Sequence, residues 1–299
     1  RMVNVSTENE VSFGMVPLTI DDIVALSERK VRVALSQSAE FVQRMRKGPA
    51  FLERLLKDEG EIYGVTTGYG DSCTVAVPWP LYEELPYHLV RFHGCGMGRW
   101  LQAEQARAVL CARLASLAQG YSGVRIELLQ QLVNCINAGM VPCIPEEGSV
   151  GASGDLTPLS YVAAMLIGER EVMLDGATLP ARDALARLDM RPMDLRPKEA
   201  LAIMNGTAMM TGLACLAFKR AEYLAQLATR ITALNVIALN GNDYHFDAKL
   251  FSVKPHPGQG QIAQWLRDDL QVDAAPRHSR RLQDRYSLRC APHVIGVLQ

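Results

Sequence analysis

The chain has 299 residues, of which 48% are hydrophobic and 6% aromatic, so it has enough apolar material for a large buried core. Its 31 basic and 32 acidic residues give a net charge of −1, which argues against electrostatic attraction to nucleic acid or an acidic membrane face. Unbroken apolar runs stay well below the about 20 residues that cross a bilayer, so no membrane partner is expected. The N-terminus lacks a signal-peptide pattern and the seven cysteines form no Cys-x-x-Cys pair, which predicts reduced thiols in the cytoplasm.

The first half of the chain alternates predicted helices with glycine-rich loops. Thr19 is a good N-cap for a first helix, and apolar residues recur at helical spacing as far as Leu55. Gly60 breaks this pattern, and residues 61–70, rich in Gly, Thr and Tyr, are predicted to form a loop and not a strand. Further helices are predicted from about Leu81, over 104–117 and over 124–137.

The middle of the chain contains a second such loop and the longest predicted helix. Residues 139–154 are rich in Gly, Pro and Ser, and Thr157 with Pro158 predicts an N-cap followed by the first helical residue. Residues 169–195 have a mixed pattern typical of short strands and turns around Gly176. No proline lies between Pro197 and Pro255, and one helical stripe is marked by Leu213, Leu216, Leu224, Leu227, Ile231 and Leu234. This length favours a helix at the centre of a bundle.

The last part of the chain is more polar. Loops are predicted around 240–243, as a turn at 255–258, and up to Gln283. The chain stops inside the apolar run 294–298, so we expect further helices in the complete protein. The sequence thus predicts a mainly α fold. A smaller mixed N-terminal region covers 1–195, and 196–299 begin a long-helix bundle whose C-terminal helical part is absent.

The residues with the clearest chemical meaning are Gly148-Ser149-Val150-Gly151-Ala152-Ser153-Gly154-Asp155-Leu156-Thr157-Pro158-Leu159-Ser160. A Gly-rich turn before a helix can bind an anion, but no Gly-Lys-Ser/Thr step follows as in a P-loop. Ser153 also lacks the Gly-x-Ser-x-Gly surroundings of a nucleophile elbow. From the local pattern alone, a structural turn is the better interpretation.

The same thirteen residues resemble the signature of the histidine, phenylalanine and tyrosine ammonia-lyases and the related aminomutases. The resemblance implies that Ala152, Ser153 and Gly154 cyclise and lose two waters to give 4-methylidene-imidazol-5-one (MIO), with no metal or nucleotide. In that ring closure the amide nitrogen of Gly154 attacks the carbonyl of Ala152, and glycine leaves the approach open. Ser153 loses its hydroxyl and becomes the electrophilic methylidene carbon. The N-terminal region 1–195 therefore carries the MIO.

Two further segments resemble blocks of the family. The loop Tyr63-Gly64-Val65-Thr66-Thr67-Gly68-Tyr69-Gly70 resembles the one whose first tyrosine removes the β-proton, which makes Tyr63 the implied general base. The segment Met204-Asn205-Gly206-Thr207 resembles the one whose asparagine lies against the MIO and the substrate carboxylate. The alternatives are a tyrosine packed on the surface and an ordinary Asn-Gly turn. That turn interrupts a helical pattern, as functional sites often do.

A third segment, Gln283-Asp284-Arg285-Tyr286-Ser287-Leu288-Arg289-Cys290, resembles the block that supplies Gln, Tyr and Arg to the pocket. Arg289 is the implied clamp for the substrate carboxylate, because a guanidinium binds carboxylate through two parallel hydrogen bonds. Tyr286 is expected near the MIO and the leaving amine, and Gln283 is expected to orient the ring. A surface arginine is the alternative. Arg285 replaces the proline usual in histidine lyases, which mildly favours a carbocyclic substrate.

The implied substrate-selecting pair is Phe92-His93, within the strip 89–98. The family typically has Phe-Leu here in phenylalanine lyases, His-Leu in tyrosine lyases and Ser-His in histidine lyases, so this chain is a hybrid. Phe92 suits a phenyl ring. His93 suits a para-hydroxyl or an imidazole nitrogen, although a lone histidine is more often a packing residue.

Together these patterns favour a lyase that converts phenylalanine or tyrosine to cinnamate or coumarate plus ammonia. Histidine ammonia-lyase, giving urocanate, is the first alternative, followed by an aminomutase and by a non-catalytic helical scaffold. The resemblance also implies a homotetramer with active sites shared between subunits and a small aromatic amino acid as ligand, without nucleic acid. The family continues beyond this point with a helical region that includes an acidic pocket residue, for which these 299 residues have no counterpart.

Overall fold

The computed structural model of the chain describes residues 9–58, 60–271 and 281–299. These residues are mainly helical, as the sequence predicts, with a few short strands. They divide into two compact units, the first ending at Leu216 and the second running from Ala217 to Gln299. The boundary predicted between residues 195 and 196 separates the mixed N-terminal region from the start of the long-helix bundle. It stays a prediction.

The first unit is built around two largely buried helices. Its helices are α1 (Ile20–Ser27), α2 (Ala39–Lys57), α3 (Leu85–His93), α4 (Ala103–Leu117), α5 (Ile126–Ala138), α6 (Leu156–Leu166), α7 (Ala181–Arg187), α8 (Glu199–Met204) and the start of α9 (Ala208–Ala238). Nine of the 11 residues of α6 and nine of the 15 residues of α4 are buried, so these helices form the centre of the unit. Helix α6 packs against α3 and α8.

Three small sheets surround these helices. β1 (Glu10–Phe13) pairs in parallel with β2 (Arg32–Leu35), and the antiparallel pairs are β3 (Met97–Trp100) with β5 (Pro145–Glu147), β4 (Val141–Pro142) with β6 (Glu171–Leu174), and β6 with β7 (Ala177–Pro180). The turn Asp175-Gly176 has φ of 50° and 78° and joins β6 to β7, as in a tight hairpin. This hairpin confirms the short strands predicted around Gly176.

Some predicted boundaries in the first unit need correction. Thr19 caps α1 through a reciprocal capping box with Asp22, as expected, but β2 divides the single helical stretch predicted up to Leu55. Helix α6 begins at Leu156 with Asp155 at the N-cap, so the prediction of Thr157 as the cap is wrong by two residues. The carboxylate of Asp155 lies at the cap position without bonding the first turn of α6, because it is engaged elsewhere.

The second unit contains the rest of α9 and four shorter helices, α10 (Ala248–Ser252), α11 (Pro257–Leu270), α12 (Tyr286–Arg289) and α13 (Ala291–Ile295). Its core is formed by Ala233, Val236, Phe246, Ile262, Leu266 and Leu270. The prediction of a turn at 255–258 followed by a polar loop is wrong for residues 257–270, which form α11. Pro257 is tolerated there because the first turn of a helix needs no N–H from it. The remainder of that predicted loop, residues 272–280, lies outside the described part of the chain.

One stretch meets the length and composition criteria for a membrane span. It covers Glu199–Ala238, and the mean hydropathy of its most apolar window is 1.6. The chain itself buries 44% of that window. The core helix of a protein without any membrane span meets the same criteria, so this single stretch is weak support for a membrane. The expectation of no membrane partner stays a prediction.

Candidate active site

The tripeptide Ala152-Ser153-Gly154 lies in the loop between β5 and α6, with its first two residues exposed. Gly154 has φ of +137°, which L side chains rarely adopt. A Cβ at this position would lie 2.6 Å from the carbonyl oxygen of Gly206 and 2.8 Å from its nitrogen. The next residue, Asp155, donates its N–H to the same Gly206 carbonyl at 2.7 Å. The end of the tripeptide is therefore held against the Asn205-Gly206 turn, at a distance that excludes any side chain at 154.

Asp155 connects this loop to the start of α9. Its side chain is only 5% exposed. Oδ1 accepts a hydrogen bond from the Ser149 hydroxyl at 2.7 Å, and Oδ2 accepts one from the Met210 N–H at 3.0 Å. A carboxylate at the first turn of α9 also offsets the partial positive charge of that helix end. The family resemblance assigned no role to Asp155, although it is the one acidic residue of the loop 148–154 and its helix junction.

Asn205 lies at the break between α8 and α9, where it is exposed. Beneath it is Arg113 of α4, 3% exposed, which donates from Nη1 to the Asn205 carbonyl at 3.2 Å and from Nη2 to the Ser116 hydroxyl at 2.7 Å. A Cβ at Gly206 would collide with this guanidinium. Burial lowers the pKa of Arg113. Sequence patterns did not identify Arg113, which is one of three charged residues in α4.

Backbone contacts between residues 66–67 and 76–77 close the loop that follows Tyr63. Thr66 accepts the N–H of Val77 at 2.9 Å, and an isolated bridge joins Thr67 to Ala76. The Tyr63 side chain is 47% exposed, and its hydroxyl oxygen accepts the N–H of Gly70 at 2.7 Å. This confirms the predicted loop and leaves the Tyr63 hydroxyl accessible.

Two contacts distinguish Tyr63 from its neighbour Tyr69. The two rings meet edge to face with centroids 6.3 Å apart. Burial, and secondarily the nearness of Tyr63, raises the pKa of Tyr69, so Tyr69 stays protonated and is a poor base. A Cβ at Gly64 would lie 2.7 Å from the Leu201 side chain, which shows that the loop touches α8, the helix that ends at Asn205. Of the two tyrosines, Tyr63 is the better placed for proton transfer.

Phe92 and His93 are the last two residues of α3, which packs against α6 and α8. Their ring centroids are 4.3 Å apart, and Phe92 is exposed. His93 Nδ1 lies 2.9 Å from the Leu89 carbonyl oxygen. A carbonyl oxygen only accepts hydrogen bonds, so Nδ1 must carry the proton. In the neutral ring this leaves His93 Nε2 as a free acceptor.

The three remaining predicted site residues, Gln283, Tyr286 and Arg289, belong to the second unit. Tyr286 and Arg289 are the first and last residues of α12, and the Arg289 guanidinium lies 4.3 Å from the centroid of the Tyr286 ring. Such a cation–π contact holds the guanidinium beside an exposed aromatic ring. Their position relative to the tripeptide stays a prediction.

In the described part of the chain, the predicted site residues coincide neither with a group of metal-ligating side chains nor with the cavity beside the Tyr63 loop. In the part of the chain that the structure describes, no three His, Cys, Asp or Glu side chains come together as metal ligands. A cavity of about 780 Å³ lies beside the Tyr63 loop and is lined by Lys57, Glu61, Cys73 and Trp79, among others. None of the predicted site residues is among those that line it.

Known proteins resemble this chain over nearly its whole length. The family model described as aromatic amino acid lyase matches residues 18–299. Histidine ammonia-lyase of Bos taurus is 38% identical over 289 residues, covering 94% of this chain and 44% of the relative. Histidine ammonia-lyase of Gloeobacter violaceus is 42% identical over 284 residues, covering 94% of this chain and 55% of the relative. This chain therefore spans about half the length of these curated relatives.

A comparison of folds agrees with the comparison of sequences. The crystal structure of tyrosine aminomutase from Streptomyces globisporus superposes with a TM-score of 0.87 at 36% identity, covering 96% of this chain and 58% of that one. Because the family model extends from residue 18 to residue 299 and the helical fold is shared, the chain belongs to the aromatic amino acid lyase family.

Proposed function

We propose that this chain is part of a carbon–nitrogen lyase that removes ammonia from L-histidine and releases urocanate. The observation that carries the proposal is its identity of 38% and 42% to two histidine ammonia-lyases across 94% of its length. Histidine, the first alternative on sequence patterns, is therefore preferred to phenylalanine and tyrosine. The departure at Arg285 that favoured a carbocyclic substrate carries less weight than this overall similarity.

The side chain of His93 also supports an imidazole substrate. Its Nε2 is the free acceptor of the neutral ring, and an imidazole N–H is a donor that it would bind. A phenyl ring offers no such donor, whereas the hydroxyl of tyrosine does. The geometry of His93 thus disfavours phenylalanine, and the relatives favour histidine over tyrosine. Phe92 would supply an apolar wall for the ring of the substrate.

The residues of the tripeptide loop fit formation of an MIO group. The backbone at Gly154 has a conformation and a close approach to Gly206 that only glycine tolerates, and its nitrogen is the atom that must close the ring. Once formed, the group supplies an electrophilic carbon that no ordinary side chain offers. Asp155 and Asn205 would hold it, since Asp155 fixes the loop to α9 and Asn205 lies on the turn that Gly154 contacts.

The other predicted residues then have separate tasks. Tyr63 accepts the β-proton of the substrate, and the Gly70 N–H, which donates to its hydroxyl oxygen at 2.7 Å, holds that oxygen in place. Arg289 pairs with the substrate carboxylate and is held beside Tyr286, which faces the leaving amine. Gln283 orients the ring. Tyr63 thus transfers a proton, whereas the other tasks need only a hydrogen bond or an ion pair.

We also propose that the protein acts as a cytoplasmic homotetramer with sites shared between subunits. The support within this chain is helix α9, which leaves a row of large apolar side chains exposed. Contiguous apolar surface of this kind usually marks an interface with another chain.

The experiment is an ultraviolet assay of the purified protein with L-histidine, L-phenylalanine and L-tyrosine in parallel, together with its intact mass. We expect urocanate from histidine, little product from the other two, and a mass lower by two waters. Ser153→Ala is the matched control, because it lacks the hydroxyl that must leave. A parent protein with an intact, hydrated tripeptide and no product from histidine would disprove the proposal.

A second candidate is an aminomutase, favoured by the TM-score of 0.87 to a tyrosine aminomutase. An aminomutase retains the ammonia and returns it to the β-carbon. Chromatography of the same reactions decides between the two candidates. Accumulation of a β-amino acid from tyrosine, without net release of ammonia, would replace the lyase by the aminomutase.

A further inference from the structure

The segment that carries Gln283, Tyr286 and Arg289 is held in the second unit through Asp284. The Asp284 N–H donates to Nε2 of His245 at 3.0 Å, and the Asp284 carboxylate accepts the N–H of Asn242 at 2.6 Å. The side chains of His245 and Asp284 are only 16% and 9% exposed. We call these two hydrogen bonds the Asp284 anchor. It joins the segment to the turn that follows α9.

The first bond of the Asp284 anchor fixes the state of the His245 ring. Since a backbone N–H only donates, Nε2 must be unprotonated, and the neutral ring carries its proton on Nδ1. Protonation of Nε2 would place an N–H opposite the Asp284 N–H and abolish this bond. The anchor is complete only while His245 is neutral.

The charged groups around His245 shift the pKa of its ring in opposite directions. The Asp284 carboxylate, 3.7 Å from Nε2, favours a protonated ring, whereas Arg289 on α12 disfavours it. From α11, Arg267 donates to the carbonyl of Phe246, the residue after His245. Burial has the largest effect, so the pKa of His245 lies below its ordinary value of 6.5. The neutral ring is therefore the normal state at neutral pH.

We infer that His245 is a positioning residue for the substrate-binding segment, and that it sets the affinity for the substrate carboxylate by holding Asp284 while its ring is neutral. The inference rests on the proposed function only through the role of Arg289, five residues after Asp284. Loss of one hydrogen bond of the anchor frees the chain just before α12. The Arg289 guanidinium then spends less time in the position that pairs with a carboxylate. His245 acts through this segment and does not touch the substrate.

The state of His245 can be measured without any activity. The protein is labelled with ¹⁵N at its histidines, and the His245 ring signal is assigned by its absence from His245→Gln. We expect the neutral tautomer with a bare Nε2 at about pH 7.5, and titration below 6.5. A ring protonated on Nε2 at neutral pH, or one that titrates above 6.5, would overturn the inference even in a fully active enzyme.

The effect on affinity is measured by inhibition with trans-cinnamate, whose carboxylate stays ionised across about pH 5.5 to 8. For the parent we expect the inhibition constant to rise as the pH falls through the titration of His245. His245→Gln keeps an acceptor that does not titrate, so its inhibition constant should stay near the parent value at pH 7.5 and lose the pH step. His245→Phe has no acceptor, and its constant should be about three- to tenfold higher throughout. His256→Gln, at an exposed histidine of the same unit, is the matched control.

The outcomes of these experiments distinguish the positioning role of His245 from the proposed function. Equal inhibition constants for the parent and a folded His245→Phe would refute the positioning role. A parent that deaminates no amino acid would refute the proposed function, while the tautomer of His245 and its titration still decide whether the Asp284 anchor exists as described. A pH step that persists in His245→Gln would assign it to another group and contradict the inference.

Discussion

At the residue scale, Gly151 and Gly154 make a useful pair within one loop. Both have positive φ, 64° and 137°, but nothing lies within 4 Å of a Cβ at Gly151, whereas a Cβ at Gly154 would meet the Gly206 backbone. We expect Gly151→Ala to cost about 1 kcal/mol in the free energy of unfolding, from the backbone alone. Gly154→Ala should cost more, by about 1–3 kcal/mol, and should leave the tripeptide hydrated. Urea denaturation and intact mass test this, and equal losses would contradict it.

Removal of one hydroxyl tests the proposed base. Tyr63→Phe deletes the acceptor of the Gly70 N–H but keeps the edge-to-face contact with Tyr69. We expect turnover of L-histidine to fall by about 10²- to 10⁴-fold, the usual contribution of a general base, with stability changed by about 1 kcal/mol or less. Tyr121→Phe, at an exposed tyrosine, controls for the substitution itself. Full turnover by Tyr63→Phe would remove Tyr63 from the mechanism.

Sequence analysis identified the site residues that lie in local motifs. It missed those whose roles depend on hydrogen bonds to residues far away along the chain. Tyr63, Asn205 and the tripeptide were identified from local runs that resemble family blocks. Arg113 and Asp155 were not, because their roles depend on contacts between distant parts of the chain. Arg113 bonds a carbonyl 92 positions away, and the Asp155 carboxylate bonds an N–H 55 positions away. Spacing along the sequence contains no record of such contacts.

At the element scale, helices were predicted better than strands. Long apolar periodicity identified α4, α5 and α9, while β1 and β2 have four residues each, too few for an alternating pattern to stand out. Helix α11 was missed because Pro255, Pro257 and Gly258 suggested a turn. The helical spacing of Ile262, Leu266 and Leu270 was the signal that should have prevailed.

The exposed apolar face of helix α9 leads to a prediction about self-association. Thr229 and Thr232 on one face are buried and donate to carbonyls of the preceding turn, while the opposite face exposes 39% to 65% of Leu224, Leu227, Ile231 and Leu234. Burying one such side chain contributes about 1.5–3 kcal/mol. If the exposed face joins copies of the chain, Leu227→Arg with Ile231→Arg should weaken self-association at least about tenfold. Light scattering after gel filtration measures this.

The control for this experiment lies in the same turn of α9. Gln226 is also exposed but lies outside the apolar row, so Gln226→Arg adds the same charge without removing apolar surface. It should leave the oligomer intact. Dissociation by Gln226→Arg as well, or an unchanged oligomer in the double variant, would show that the apolar row of α9 is not the interface.

At the scale of the whole molecule, the predicted catalytic residues are distributed over two compact units. The base, the tripeptide and Asn205 belong to the first, and Gln283, Tyr286 and Arg289 to the second. A mainly helical fold and its family follow from the sequence because the motifs occur in a fixed order. Whether and how copies of the chain associate does not follow, since contacts between copies leave no periodic pattern. The chain also spans only about half of its curated relatives.

Acid should weaken the second unit in particular. Burial lowers the pKa of both His245 and His293 below the ordinary value of 6.5. A ring held neutral in the fold binds fewer protons than the same ring in the unfolded chain. The stability is therefore complete above about pH 7.5 and is lost as the pH falls through 6.5 towards the lowered values.

This pH dependence can be isolated with paired variants. We expect the urea midpoint of the parent to fall between about pH 7.5 and 5.5. His245→Gln with His293→Gln should have a lower midpoint at pH 7.5, because packing is disturbed, but a flatter dependence on pH. His88→Gln with His256→Gln, at two exposed histidines, should keep the slope of the parent. If the first double variant keeps that slope too, the acid sensitivity arises elsewhere, since neutral rings at 245 and 293 would then not be what the fold requires.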